Sequence, residues 1–359
     1  MDKTKLREHF RKAATTPEGW SGNLFFKNER GQSLRYGHAP ALTPEPRGTI
    51  IHRHGHGESI DLYNEAINWY QKQGFDVWAY DLAGHGLSEG KDPNKNPSPK
   101  DTFHDVNDLD QFARRIVKRV PNKPLILSAH SLSGHSGLIY LKRHPEMFSG
   151  AVMSSPMFDI YRLGLPACFR PAIRGIFALA TMVGLKNVKT PVTGYQNFID
   201  RVQKTSEQLA HISLGEINYR GEVKRALKEL HPERYRDRPT FGWIGAAFKT
   251  ITPTLRRSFL KDIQTPLLIG SAGPLEDLVA SDAHERVASI VPHAELKKMP
   301  FAVHSLWHDR DSNFKIWQGH VATFLDKVAP DKAPQYCLLQ KQNPDLQPCP
   351  HKYREFKQA

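Results

Sequence analysis

The sequence contains few cysteines and no long hydrophobic run. Three cysteines occur among 359 residues, at Cys168, Cys337 and Cys349, and an odd number at this spacing predicts no disulfide framework. The longest apolar run, residues 175–185, is too short to cross a bilayer. The charged first twenty residues lack the apolar core of a signal peptide. We therefore expect a cytoplasmic protein.

Acidic residues are also fewer than basic ones. Lysine and arginine total 50 against 37 acidic residues, which gives a formal net charge of +13 and favours anionic partners. Zinc-finger spacing, aromatic RNA-binding motifs and glycine-arginine repeats are all missing, so no nucleic-acid partner is predicted. The remaining expectation is peripheral contact with an anionic membrane, at its inner face. The sequence leaves the oligomeric state open.

Strand and helix patterns alternate along most of the chain. Apolar runs at 48–55, 75–81 and 123–130 are each followed by a turn and a helical pattern, and the rhythm resumes at 265–273. This alternation predicts an α/β fold with a mostly parallel central sheet and helices on both faces. The residues between position 156 and the strand at 265–273 have helical patches and no convincing buried strand. The predicted divisions are a core (1–156), an inserted helical cap (157–255), the rest of the core (256–330) and a peripheral tail (331–359).

The stretch SAHSLSGH, residues 128–135, places a serine between a predicted strand and a predicted helix. Such a serine is commonly only a helix N-cap, and a nucleophilic serine needs a base that is itself oriented by an acid. Asp277 follows the strand at 265–273, and His304 follows the last predicted strand. The carboxyl ends of parallel strands meet at one edge of a sheet, so Ser131, Asp277 and His304 are predicted to meet.

Each partner of Ser131 has a neighbouring competitor. Glu276 stands beside Asp277, and His308 lies close to His304, where it is expected to face solvent.

A fourth element of such a site is an oxyanion hole, which needs two backbone N–H groups. The residue after the nucleophile, Leu132, supplies one, and the glycine-containing loop 53–59 supplies the other through His56.

Six motifs together carry a family resemblance. They are HGHGES (54–59), DLAGHGLSEG (81–90), AHSLSG (129–134), SSPMFDI (154–160), EDLV (276–279) and VHSLWHD (303–309). In this order, over roughly residues 20–328, they resemble the monoacylglycerol lipase and bacterial lysophospholipase branch of the α/β hydrolases, in the superfamily of the S33 serine aminopeptidases. The resemblance implies an α/β-hydrolase fold whose helical cap shapes an acyl pocket.

The same resemblance implies roles for individual residues. Ser131 corresponds to the nucleophile and His304 to the base, and the D-x-V pattern of the family favours Asp277 over Glu276 as the acid. The family usually has glycine at positions 129 and 133, where this chain has Ala129 and Ser133. Both substitutes are small, so we expect a slightly altered but working turn.

The predicted function is a serine ester hydrolase that cleaves the acyl ester of a monoacyl lipid, either a lysophospholipid or a monoacylglycerol, through an acyl-enzyme. No cofactor is predicted. Alternation of His52, His54 and His56 along a strand could suggest a metal cluster, but the further ligands of a metal hydrolase are missing, so no metal is predicted. The alternatives are an aminopeptidase and a catalytically silent module that binds lipid or protein.

The apolar segment 163–186 has two possible roles. It carries Arg170, Arg174 and Lys186 among its apolar residues, and it is either a cap helix packed on the core or a lid that touches the lipid interface.

Overall fold

One eight-stranded sheet organises the protein. The computed structural model describes residues 2–90, 99–160, 167–190, 216–235, 239–273, 276 and 278–330. The strands are β1 (Ser21–Lys27), β2 (Ser33–Ala39), β3 (Gly48–Arg53), β4 (Phe75–Tyr80), β5 (Leu125–His130), β6 (Gly150–Ser154), β7 (Leu267–Ala272) and β8 (Ala294–Met299). Their order is β1-β2-β4-β3-β5-β6-β7-β8. Pairing is antiparallel between β1, β2 and β4 and parallel from β4 to β8, which confirms the predicted mostly parallel sheet.

Ten α-helices accompany the sheet in the described part of the chain. They are α1 (Lys3–Ala14), α2 (Asn64–Lys72), α3 (Pro99–Gln111), α4 (Leu132–Arg143), α5 (Arg170–Met182), α6 (Tyr219–Leu230), α7 (Phe241–Thr254), α8 (Arg257–Leu260), α9 (Ser281–Ile290) and α10 (Asp311–Val328). Short helical turns occur at Ile60–Tyr63 and Leu306–His308, and a π-helical turn, Phe112–Ile116, continues α3.

The central strands are buried on both faces because successive side chains point to opposite sides of the sheet. Ile50 and Ile126 pack in one apolar layer, whereas Ile51 and Leu127 pack in the other. The first layer contains residues of α2 and α10, and the second contains residues of α3, α4, α7 and α9. The near-continuous apolar strands of the sequence therefore reflect a sheet that is covered on both sides.

The sequence analysis did not identify α1. Its side chains are mostly exposed, so it lacks the wide apolar stripe that marks a core helix. The Asp2 carboxylate accepts the Thr4 N–H at 2.8 Å and caps the helix. The His9 ring stacks on Tyr219 of α6 with 5.4 Å between centroids, so tertiary contacts hold α1 in place.

Helices α5, α6 and α7 lie between β6 and β7 in sequence, although these two strands are neighbours in the sheet. Helix α7 packs on the core, and its Thr250 hydroxyl lies 3.0 Å from Nε2 of His135 in α4. Helix α6 is held by ion pairs from Arg220 to Glu65 and Asp311. The predicted boundaries of the cap stay predictions, and the predicted tail (331–359) lies outside the described residues. Within the described residues, no helix is long and apolar enough to cross a membrane.

Helix α4 packs very closely against the chain that follows β6. A Cβ built on Gly134 would lie 2.4 Å from Cβ of Pro156 and 2.9 Å from its Cα. No side chain fits there unless the helix moves. The close approach of α4 to Pro156 therefore requires glycine at position 134. Positions 129 and 133, on either side of Ser131, tolerate alanine and serine.

We expect Gly134→Ala to lower the free energy of unfolding by about 1–3 kcal/mol, because the added methyl group overpacks this contact. The matched control is Gly175→Ala in α5, where nothing lies within 4 Å of the added carbon. That change should stabilise the protein by about 0.5–1 kcal/mol through helix propensity. Chemical denaturation of both variants measures the difference. Equal stability of Gly134→Ala and wild type would contradict the close packing.

Several histidines are buried in the core and held neutral, among them His52, His135 and His308. Burial, which disfavours the imidazolium form, lowers the pKa of His52 to about 3, that of His135 to about 4 and that of His308 to about 3. In the unfolded chain a histidine titrates near pH 6.5. Below that pH the unfolded state binds more protons than the folded state, so stability falls as the pH drops from about 6.5 towards these folded values.

We expect the free energy of unfolding of His135→Gln, measured relative to that of wild type, to be about 2 kcal/mol higher at pH 5 than at pH 7.5. The reason is that glutamine has no proton to gain on unfolding. Denaturant titrations at the two pH values measure this difference. The control, His293→Gln, replaces an exposed histidine and should show little pH dependence relative to wild type. A flat difference for His135→Gln would show that His135 is not held neutral by burial.

Candidate active site

Ser131 occupies a backbone conformation that residues with a side chain rarely adopt. Its φ is 51° and its ψ is −114°. The Ser131 N–H donates to the Ser154 carbonyl at 3.1 Å, while the Ser131 carbonyl accepts from the N–H groups of Gly134 (2.9 Å) and Met157 (2.8 Å). The hydroxyl makes no capping bond to α4. The simple N-cap interpretation of this serine is therefore wrong.

His304 lies between the serine and a carboxylate. Its Nε2 is 3.0 Å from Ser131 Oγ, and its Nδ1 is 2.8 Å from Oε2 and 3.0 Å from Oε1 of Glu276. The loop that carries His304 follows β8 and is braced by Asp309, whose carboxylate accepts the Val303 N–H at 2.8 Å. The structure thus joins a hydroxyl, an imidazole and a carboxylate in one chain of contacts.

Glu276 is suited to orient the imidazole. The residue is only 4% exposed, and its Oε1 accepts the N–H groups of Leu278 at 2.9 Å and Val279 at 3.1 Å. Burial pushes its pKa up, but the charge and hydrogen bond of His304, together with these two N–H groups, hold the pKa below its ordinary value. An ionised Glu276 assigns the Nδ1 proton to His304 and leaves Nε2 free to accept the hydroxyl proton of Ser131.

The sequence analysis favoured Asp277, whereas the carboxylate that contacts His304 is that of the preceding residue. Asp277 itself lies outside the described residues. The ends of β7 and β8 approach closely, since a Cβ on Gly273 would lie 2.3 Å from Cα of Pro300. The Glu276 N–H donates to the Gly273 carbonyl at 2.9 Å, which holds Glu276 close to the end of β7. The adjacent pair of carboxylates was visible in the sequence, but the contact of Glu276 with His304 was not.

The glycine loop after β3 lies against Ser131. A Cβ on Gly55 would be 3.1 Å from Cβ of Ser131 and 2.9 Å from Cδ2 of His130. Only a glycine therefore allows the backbone to pass so close to the serine. Leu132 is the first residue of α4, and His56 follows Gly55, so both predicted oxyanion donors lie on segments that adjoin Ser131.

The insertion between β6 and β7 reaches the same loop. The ring of Trp243, near the start of α7, lies 4.6 Å from that of His56, and His85 lies 5.4 Å from His56 on another side. Trp243 and Leu132 both pack against the larger apolar layer. The indole of Trp243 and the imidazole of His85 therefore flank the loop that adjoins Ser131.

The other histidines of this region have structural partners. His52 Nδ1 lies 3.0 Å from the Ser128 hydroxyl, and His54 Nε2 accepts the Leu82 N–H at 3.1 Å. In the described part of the chain, no group of three or more His, Cys, Asp and Glu side chains is arranged to hold a metal ion. His308 was expected to face solvent, but it is buried between the Leu62 carbonyl (2.8 Å) and the Ser305 hydroxyl (2.7 Å).

Comparisons with known proteins agree with this architecture. Monoglyceride lipase of Saccharomyces cerevisiae is 23% identical over 333 residues, which cover 87% of this chain and 94% of that protein. The probable lysophospholipase L2 of Haemophilus influenzae is 22% identical over 291 residues, which cover 80% and 87% of the two chains.

Solved structures extend the comparison to the fold. A soluble variant of the Saccharomyces cerevisiae monoglyceride lipase, in complex with a substrate analog, superposes with a TM-score of 0.64 at 19% identity, covering 88% of this chain and 96% of that one. The monoacylglycerol lipase of Paleococcus ferrophilus gives 0.60 at 18% identity, covering 82% and 99%. The family model described as serine aminopeptidase, S33 matches residues 44–311. The chain has the α/β-hydrolase fold and belongs to the serine aminopeptidase, S33 family.

Proposed function

We propose that the protein is a serine ester hydrolase that cleaves the acyl ester of a monoacyl lipid through an acyl-enzyme. The observation that carries the proposal is the contact chain from Ser131 through His304 to Glu276, with Ser131 at a turn of positive φ. Nucleophile, base and orienting acid stand in the geometry that acyl transfer requires. Glu276 takes the role that the sequence analysis assigned to Asp277.

In the first half of the reaction, Nε2 of His304 takes the Ser131 proton while Oγ attacks the acyl carbonyl. Glu276 stabilises the resulting imidazolium without itself taking the proton. The negative charge that develops on the carbonyl oxygen is met by the backbone N–H groups of Leu132 and His56. Collapse of the intermediate breaks the ester bond, and His304 returns the proton to the leaving alcohol.

In the second half, water replaces the alcohol. His304 removes a proton from the water molecule as it attacks the acyl-serine, and the proton passes to Ser131 Oγ when the acyl bond breaks. The products are a fatty acid and the free serine. The cycle uses only side chains and backbone groups of this chain, so no cofactor has a role in the proposal.

Two observations support a lipid substrate. Two full-length relatives carry the names monoglyceride lipase and probable lysophospholipase L2. The Trp243 indole flanks the loop beside Ser131, and Leu132 directly follows the serine, so apolar groups that suit an acyl chain lie near the proposed nucleophile. The family description also names aminopeptidases, so hydrolysis of an aminoacyl amide in preference to the ester would redirect the proposal to that activity.

We expect a fluorophosphonate probe to label the wild type and to leave Ser131→Ala unlabelled. Because members of a triad act as a unit, Ser131→Ala and His304→Ala should each lower kcat for a p-nitrophenyl ester by on the order of 10⁴-fold, and the double variant should lose no more. Unfolding midpoints serve as the control for folding. Persistent labelling of Ser131→Ala would remove the proposed nucleophile.

The same assay distinguishes the two carboxylates. Glu276→Gln should lower kcat by on the order of 10⁴-fold, because the imidazole loses the acceptor that sets its tautomer. Asp277→Asn is the matched control one residue away and should stay close to wild type. The reverse pattern would return the acid role to Asp277.

A second part of the proposal concerns contact with an anionic membrane. Helix α5 exposes Ile176 (62%), Leu179 (60%) and Met182 (83%) to solvent, while Phe177 faces α7 and packs on Phe241 and Phe248. The helix therefore has an outward apolar face in addition to the one that it buries. Arg174 and Lys186 lie nearby, and the chain carries +13, so the face fits a lipid surface with anionic head groups.

Arg170, which the sequence grouped with these cations, has another role. Its Nε and Nη2 lie 2.8 Å and 2.6 Å from the carboxylate of Asp159, which is fully buried. Removing Arg170 would take away a counter-charge of a buried carboxylate and would destabilise the protein. A test of membrane contact therefore leaves Arg170 unchanged.

We expect the double change Leu179→Gln and Met182→Gln to weaken binding to phosphatidylglycerol vesicles by about tenfold or more, because two apolar side chains no longer enter the interface. Hydrolysis of a short soluble ester should be unaffected. The matched control is Leu24→Gln with Ile316→Gln, at positions 41% and 51% exposed on other elements. Co-sedimentation measures the binding, and added salt should weaken it.

Two outcomes would count against this part of the proposal. Equal losses in both double variants would mean that α5 has no special role. Equal binding to phosphatidylglycerol and phosphatidylcholine vesicles at low salt would exclude the attraction between charges. Cytoplasmic location stays a prediction.

A further inference from the structure

The loop that carries the proposed oxyanion donor His56 is held by three hydrogen bonds, and they fix two successive peptide groups. The first peptide joins His54 to Gly55. Its carbonyl accepts the Ser133 hydroxyl at 2.6 Å, and its N–H donates to Oε2 of Glu58 at 2.8 Å. Both ends of this peptide are thus bonded to side chains from outside it.

The second peptide joins Gly55 to His56. Its carbonyl lies 2.8 Å from Nδ1 of His54. The Leu82 N–H donates to the other ring nitrogen of His54 at 3.1 Å, so Nδ1 carries the proton and donates to the Gly55 carbonyl. No peptide bond in the described chain is cis, and in a trans peptide the N–H points away from the C=O. Holding the Gly55 carbonyl therefore also sets the direction of the His56 N–H.

Glu58 is buried, at 4% exposure, and it is bonded on several sides. The Tyr63 hydroxyl donates to Oε2 at 2.6 Å, and the Lys224 ammonium of α6 contacts Oε1. Burial, the largest single effect, would raise its pKa, but the charge of Lys224 together with smaller effects from His130, Lys228 and His308 holds the pKa well below the ordinary value. The acceptor of the Gly55 N–H is therefore an anion.

Helix α6, which carries Lys224, lies in the insertion between β6 and β7. Arg220, one turn earlier, bonds to Glu65 and Asp311 and places the helix on the core. Lys224 is thereby held over Glu58 by an element outside the sheet. The proposed active site and the inserted segment meet at this ion pair.

We infer that Ser133 and Glu58 are positioning residues that clamp the His54–Gly55 peptide and so aim the His56 N–H at the oxyanion, with Lys224 of α6 as the counter-charge of Glu58. The inference rests on the proposed function. It also gives a physical role to Ser133, which stands where the resembling family usually has glycine. The Ser133 hydroxyl is fully buried and bonds to the loop, an interaction that a glycine at this position could not make.

The decisive variants are Ser133→Gly and Ser133→Ala. Both remove the bond to the His54 carbonyl, and Ser133→Gly introduces the residue usual in the family. We expect each to lower kcat for a soluble p-nitrophenyl ester by about five- to thirty-fold with little change in KM, because the loss falls on the transition state. The inhibition constant of an alkyl trifluoromethyl ketone, whose adduct with Ser131 places an oxyanion in the hole, should rise by the same factor.

Ser136→Ala is the matched control. Ser136 lies on the same helix and is equally buried, but its hydroxyl bonds to the Arg53 side chain and to the Ser133 carbonyl, not to the His54–Gly55 peptide. This variant should lose thermal stability without a fall in kcat. A merely structural role for Ser133 predicts that the two serines behave alike. That result, or a Ser133→Gly enzyme as fast as wild type, would overturn the inference.

The ion pair is tested by a double-mutant cycle. Lys224→Met leaves Glu58 buried without a counter-charge and should lower kcat, whereas adding Glu58→Gln removes the uncompensated charge and keeps an acceptor oxygen for the Gly55 N–H. We expect the double variant to recover at least part of the kcat lost in Lys224→Met. Additive losses would overturn the role of Lys224. If the wild type itself neither hydrolyses esters nor binds the probe, the proposed function fails first.

Discussion

The unusual backbone at Ser131 is the constraint on which the rest of the site depends. A serine with φ of 51° costs on the order of 1–3 kcal/mol, so the surrounding structure must hold it. The Ser131 N–H donates to the last residue of β6, and its carbonyl accepts from Met157 after β6 and from Gly134 in the first turn of α4. The contact of Gly134 with Pro156 keeps that chain in place. The turn is therefore maintained by the sheet, and it presents the hydroxyl to His304.

Two buried glutamates carry the negative charge beneath the site. Glu276 and Glu58 are both inside the protein, and each is held anionic by its partners: His304 and two backbone N–H groups for Glu276, and chiefly Lys224 for Glu58. Glu276 contacts His304, whereas Glu58 accepts the Gly55 N–H in the loop that adjoins Ser131. The counter-charge of Glu58 is Lys224, so the inserted segment contributes an ion pair to the polar framework beneath this loop.

The sequence predicted the parts of the site that depend on topology. Ser131 and His304 follow particular strands of a parallel sheet, and the carboxyl ends of such strands lie along one edge, so their proximity could be predicted without coordinates. The contact of Glu276 with His304 could not be predicted, because no periodic pattern distinguishes it from its neighbour Asp277. Ser133 looked like a tolerated substitute for glycine, because a hydrogen bond to a carbonyl distant in sequence has no sequence signal. His308 was misplaced for the same reason.

The two faces of α5 connect the site with the surface. Its inner face, through Phe177, packs on α7, and α7 brings Trp243 to the His56 loop. Its outer face is apolar and exposed. A force on the outer face, such as insertion into lipid, would act on α7 through packed aromatic rings, and packed interiors transmit displacement because they contain little free volume. Under the proposed function, the helix that is expected to meet a lipid surface therefore packs, through α7, towards the loop beside Ser131.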